Sequence, residues 1–210
     1  MSAVYDTFLR DNKEILLFNR EVNSVIVIGL GNPGEKYAHT RHNAGFLVLD
    51  AYAAAHELVF NERKIEQSLV AYGEGLLLAK PQTFMNESGI AVCRIMHNNK
   101  GVLVVVHDDI DIALGEVKCS FGRGSGDHNG VQSIIDQLGT KDFFRIRIGV
   151  RPVHQELLSR IAPPDGFEKF LLSRFTPMEE DLLQQGVVKA IQIITTLPSN
   201  TVEELMNTYN

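Results

Sequence analysis

The segment Ser24-Val25-Ile26-Val27-Ile28-Gly29-Leu30 constrains this chain more than any other. A near-continuous β-branched run of this length reads as a central strand buried on both faces. It stops at Gly31-Asn32-Pro33-Gly34, a strong turn signal. Such a strand needs cover on two sides, and the rest of the chain offers it. Residues 43–57 have helical periodicity, with Phe46, Leu49 and Ala53 on one side. Residues 75–80 form a second apolar strand that Pro81 closes. Residues 83–86 read as a loop and 88–97 as a helix. Residues 102–106 read as a third buried strand, ending at His107-Asp108-Asp109. A strand is expected at 116–121, then a glycine-rich loop to Gly130. Val131, Ile134, Ile135 and Leu138 form a stripe that starts a helix, and residues 145–150 alternate as a strand. Thr176-Pro177-Met178-Glu179 combines a capping box with proline at the first helical position, opening a helix to about Thr196.

Strands alternating with helices predict an α/β fold: one domain with a mixed, largely parallel sheet and helices on both faces. The domain is expected at 23–210, after an N-terminal extension at 1–22. Val4, Phe8, Ile15 and Phe18 could line one side of a short helix in that extension. Residues 153–166, with Pro163-Pro164-Asp165-Gly166, read as a surface loop.

Composition narrows the function. With 210 residues, 44% hydrophobic, the chain can bury a core without disulfides or a metal. Its apolar runs are too short to cross a bilayer, so no membrane partner is expected. Residues 1–22 lack an apolar core and contain Asp6, Asp11, Glu14 and Glu21, unlike a targeting peptide. Cys93 and Cys119 are too few for a disulfide framework and are expected as reduced thiols in a cytoplasmic protein. A net charge of -6 excludes a uniformly basic nucleic-acid coat but leaves room for a local basic patch.

In an open α/β sheet, ligands bind beyond the carboxyl ends of the strands. Three polar clusters are expected there: the Asn32 turn, Thr83-Phe84-Met85-Asn86 and His107-Asp108-Asp109. The loop ending His128-Asn129-Gly130 precedes a helix and can reach the same edge; its plainer reading is a simple helix start with Asn129 as cap. One crevice then collects Asn32, Asn86, Asp108 and Asn129. Three amides and a carboxylate suit a neutral carbonyl and a water better than a metal. Paired histidines at helical spacing are missing, so no metal ligands are assigned. His39 and His56 are read as solvated or structural. A rival reading is a dinucleotide enzyme, because Gly29, Gly31 and Gly34 satisfy G-x-G-x-x-G and Asp50 lies where a ribose-binding acid would sit. A serine nucleophile has only Gly124-Ser125-Gly126 as a partial echo of its elbow.

Taken in order, GLGNPGEKYAHTRHNAGF, KPQTFMNESG, HDDID, GDHNG and FRIRIGVRP closely resemble the bacterial-type peptidyl-tRNA hydrolase family, from about residue 24 to about residue 196. The resemblance implies a cofactor-free, monomeric α/β esterase that cleaves peptide from the 3′ end of tRNA and recycles the tRNA of aborted translation. It implies His42 as the base, with Asp108 as its partner and Asn32 in the catalytic set. Asn32, Asn86 and Asn129 would hold the peptide, the water and the 3′ adenosine. Tyr37, Phe84, Met85 and Gly126 would line the tRNA end. Lys118 and Arg147, with Arg123 and Arg145, would form the local RNA-binding patch. Two departures bear on affinity: Asp127 stands where the family usually has glycine, and Ser120 where it often has a basic residue. The resemblance also admits a non-enzymatic, splicing-factor-like RNA binder with the same fold.

Overall fold

The computed structural model describes residues 24–152 and 166–210. The expected N-terminal extension and the surface loop short of Gly166 lie outside them. Strand β1 (Val25–Gly29) takes the central place its composition demands. Val25 and Val27 enter one core, Ile26 and Ile28 the other, and all four are fully buried. On one side β1 pairs in parallel with β4 (Leu76–Pro81), on the other with β5 (Val102–Ala113). β7 (Phe144–Arg151) continues the parallel set beyond β5. Antiparallel strands close both ends: β3 (Ser68–Gly73) and β2 (Asn61–Arg63) beyond β4, and β6 (Val117–Phe121) beyond β7. The order β2-β3-β4-β1-β5-β7-β6 is the mixed, centrally parallel sheet that the alternating pattern implies.

Helices α1 (Ala44–Ala55), α5 (Pro177–Thr196) and α6 (Val202–Thr208) cover the Val25 face. Helices α2 (Ser88–Asn98) and α3 (Asn129–Leu138) cover the other. The short α4 (Phe167–Leu171) packs against a 3-10 turn, Arg41–Asn43, that leads into α1. At α5 the expected capping box is present, with Glu179 Oε2 accepting from Thr176 N at 2.9 Å. Cys93 and Cys119 are both free thiols. Among the described residues, no helix is long and apolar enough to cross a membrane.

One boundary differs in a way that matters. The third strand does not stop at Val106 but runs to Ala113. Its neighbour β1 ends at Gly29, opposite Val106, so the rest of β5 pairs only with β7. The register with β7 then shifts between Asp109 and Ala113. His107 and Asp108 are therefore strand residues whose β1 side is open. The polar pair interrupts the apolar run without interrupting the ladder.

The glycines explain how the open side is filled. A Cβ on Gly29 would lie 2.5 Å from the Gly45 carbonyl oxygen, and one on Gly45 would lie 2.3 Å from the Val106 oxygen. A Cβ on Gly31 would enter the Phe46 ring at 2.7 Å. Gly29 and Gly31 thus let α1 press onto the end of β1. They do not frame a pyrophosphate: α1 begins only at Ala44, and Asp50 is bound to Lys80. The dinucleotide reading is corrected on these grounds.

Gly45→Ala is expected to lower stability by about 2–3 kcal/mol, the cost of forcing a methyl group into filled space. Urea denaturation checks this; a change within about 0.5 kcal/mol, the ordinary surface range, would contradict the packing account.

Candidate active site

The Arg41–Asn43 turn carries His42 to the open flank of β5. Asn43 fixes it there from the next position. Its Oδ1 accepts from Asn32 N at 2.9 Å, and its Nδ2 donates to Asn32 O at 2.9 Å. The Asn32 turn and the His42 turn are therefore one piece. His42 Nδ1 lies 2.9 Å from Asp108 Oδ1 and 3.1 Å from Oδ2. Asp108 is only 2% exposed.

A second histidine reaches the same carboxylate. His128 Nε2 lies 3.0 Å from Asp108 Oδ1. Its Nδ1 accepts from Gly130 N at 3.1 Å and Val131 N at 3.2 Å, so His128 is the N-cap of α3. Asn129, the cap on the plainer reading, is the first helical residue. An imidazole does both jobs at once: one nitrogen satisfies the helix amides while the other binds Asp108, and Asn129 is left to face the cleft.

Burial opposes the ionisation of Asp108. The charge of His42, with hydrogen bonds from His42 and His128, overcomes it and holds the carboxyl far below the usual range. Burial also opposes a charged His42, but the Asp108 charge and hydrogen bond prevail and raise the imidazole above its ordinary value. His107 goes the other way: burial pushes it well below the ordinary value. Its Nδ1 is bonded to Asp108 O at 2.7 Å, and its Nε2 is buried without a partner among the described residues. It stacks edge-on to His128.

His42, Asp108 and His128 bring their ligand atoms within 4.8 Å of one another, close enough for a cation. The donor chemistry does not fit one. A metal-bound histidine offers a lone pair and donates from its other nitrogen. His128 does the reverse. Its Nδ1 accepts two amides, so its proton sits on Nε2 and points at Asp108. The trio is a hydrogen-bonded chain.

A cleft of about 710 Å³ opens over these groups. It brings together Asn32, Tyr37, His42, Phe84, Met85, Asn86, Asp108, Gly126 and Asn129, each named from the sequence. Asn32 Oδ1 accepts from Met85 N at 2.8 Å, which fixes the amide and leaves Nδ2 as its open donor. Lys118 and Arg147 are outside the cleft lining, opposite each other on β6 and β7. Arg147 Nε is 2.8 Å from Asp109 Oδ2, so it reaches any anion already paired. Arg145 is 3% exposed and donates to Gly124 O at 2.9 Å. Burial first, then Arg147, lower it to about 10. It props the glycine loop instead of offering an open charge. Asp127 follows Gly126 into the left-handed region, at φ 60°.

The sequence reading missed His128, Asn43 and α4. His128 and Asn43 stand beside named residues in GDHNG and TRHNAG, directly before helix starts, and that position was their only signal. α4 gave none: it is five residues long with no room for a period.

The model of the peptidyl-tRNA hydrolase family matches residues 26–210. A peptidyl-tRNA hydrolase of Thermodesulfovibrio yellowstonii is 38% identical over 194 residues, covering 89% of this chain and 98% of that protein. One from Syntrophomonas wolfei is 39% identical over 192 residues, covering 88% and 99%. The crystal structure of the Acinetobacter baumannii enzyme superposes with a TM-score of 0.79 at 27% identity, over 90% of this chain and 95% of that one.

Proposed function

Because the chain belongs to the peptidyl-tRNA hydrolase family and hydrolyses the ester between peptide and tRNA, we propose that His42 is the general base of that reaction. The observation that carries the proposal is the His42–Asp108 contact, at 2.9 Å, on the floor of the cleft. Asp108 on Nδ1 keeps the His42 proton there, so Nε2 presents its lone pair. Nε2 takes a proton from a water, and the water oxygen attacks the ester carbonyl. The imidazolium, stabilised by Asp108, then returns the proton to the departing ribose oxygen. Asn32 Nδ2 donates to the oxyanion that forms on the carbonyl. His128 is a positioning residue: its hydrogen bond keeps Asp108 facing His42.

Asn86 and Asn129 supply further donors for the peptide, the water and the 3′ adenosine. Tyr37 and Phe84 offer rings to the unpaired 3′ end, and Met85 and Gly126 shape the path. Phe84 is 55% exposed, which leaves its ring open to stacking. Lys118 and Arg147 approach the tRNA backbone as the local basic patch. The reaction recycles tRNA in the cytoplasm, and the protein acts as a monomer.

The pH profile tests the base. It works uncharged, so kcat/KM should fall as pH drops through the raised value of His42. In Asp108→Asn the carboxylate is gone and burial remains, so the acid limb should move to lower pH by about 1 unit or more while the maximum falls. A limb that stays in place would contradict the pairing.

Asp127→Gly tests the cleft wall. Removing a carboxylate from the phosphate path should lower KM with little change in kcat, because the repulsion acts on bound substrate and transition state alike. Steady-state kinetics decide it, and a raised KM would mean that Asp127 contacts the substrate favourably.

A further inference from the structure

Arg41, the residue before His42, is only 4% exposed, yet it reaches neither the cleft nor solvent. Its guanidinium lies over two rings, 4.4 Å from the centre of Phe170 and 4.7 Å from that of Phe175. One nitrogen donates to both Glu179 carboxylate oxygens at 2.8 Å, and Nε donates to Ser173 Oγ at 3.3 Å. The backbone repeats the connection: Arg41 N donates to Ser173 O at 3.1 Å, and Thr40 bridges Arg174. Every one of these partners lies in α4 or between it and the first turn of α5. α4 in turn lines the cleft with Phe167, Glu168 and Leu171, and Leu172 just beyond it joins them. Phe167 and Leu172 are 48% and 37% exposed, apolar surface facing the cleft that no other described residue covers.

We propose that Arg41 is a positioning residue that locks α4 to the turn of the catalytic base, so that the apolar α4 wall reads the peptide side chains next to the ester. The proposal rests on the cleft being the site of peptidyl-tRNA hydrolysis. A buried guanidinium is held by its partners, and removing one leaves an uncompensated charge that the surroundings must relax to hydrate. Among the described residues, α4 meets the rest of the fold at this turn and, through Leu171, at the core on the Val25 face, so α4 is the element placed to relax. Lysine cannot replace the planar stack and the fork together.

Glu179→Gln isolates the lock. Glutamine still completes the capping box of α5, so the helix start survives while the charge opposite Arg41 is lost. Two substrates are compared, carrying phenylalanine or glycine at the ester-linked residue. The wild type should show the lower KM for phenylalanine. In Glu179→Gln, KM should rise about 3- to 10-fold for phenylalanine and little for glycine, with kcat nearly constant, the signature of lost apolar wall contacts. Arg41→Lys should fall between the two. Phe167→Ala should remove the same preference, and adding Glu179→Gln to it should change the preference no further. Equal losses for both substrates, or additive losses of preference, would overturn the proposal. Amide exchange gives a readout independent of turnover: in Glu179→Gln, α4 and the Arg41–Asn43 turn should lose protection together. Unchanged protection in either would overturn the lock. A wild type that cleaves neither substrate would instead overturn the function, with the exchange result still deciding the lock.

Discussion

The buried Asp108 carboxylate is the interaction on which the rest of this structure depends. An ionised carboxyl taken from water costs several kcal/mol unless it is paired and hydrogen-bonded. Here two imidazoles meet that requirement, one from the turn before α1 and one from the cap of α3. The carboxylate therefore joins three distant parts of the chain. It also sets the chemistry. Its charge raises His42, fixes the ring and leaves one nitrogen facing the cleft.

The sheet makes that place available. β1 stops one step before His107, and β5 continues without it. The gap so formed is where the Asn32 and His42 turns sit, stitched together by Asn43. Glycines at 29, 31 and 45 bring α1 close enough for the stitch to reach. The ligand crevice of open α/β sheets thus has a local cause here: two parallel neighbours of unequal length.

Much of this was legible in the residues. β1 declared itself because branched apolar side chains suit a strand buried on both faces. The α5 start declared itself because Thr176, Pro177 and Glu179 each satisfy a specific need of a helix end. The cleft residues were legible through ordered motifs more than through periodicity. Other parts carried no usable pattern. β2 is Asn61-Glu62-Arg63, exposed throughout, and is a strand only because β3 offers it a ladder. α6 repeats the capping box at Thr201 and Glu204, a signal that was present and went unread. The extent of β5 was hidden because His107 and Asp108 are buried by partners remote in sequence. His128 was hidden for the same reason: its role exists only once Asp108 is beside it.

The most direct test of the account is single-turnover hydrolysis of peptidyl-tRNA by His42→Ala, Asp108→Asn and the double variant, with tRNA affinity measured separately. His42→Ala should bind tRNA nearly as well as the wild type and lose about 10²–10⁴ in rate, the usual worth of a positioned base. Asp108→Asn should lose less, and the double variant should be little worse than His42→Ala, because orienting an absent base achieves nothing. Near wild-type turnover by a folded His42→Ala protein would contradict the account, and fully additive losses would separate Asp108 from the base it is held here to orient.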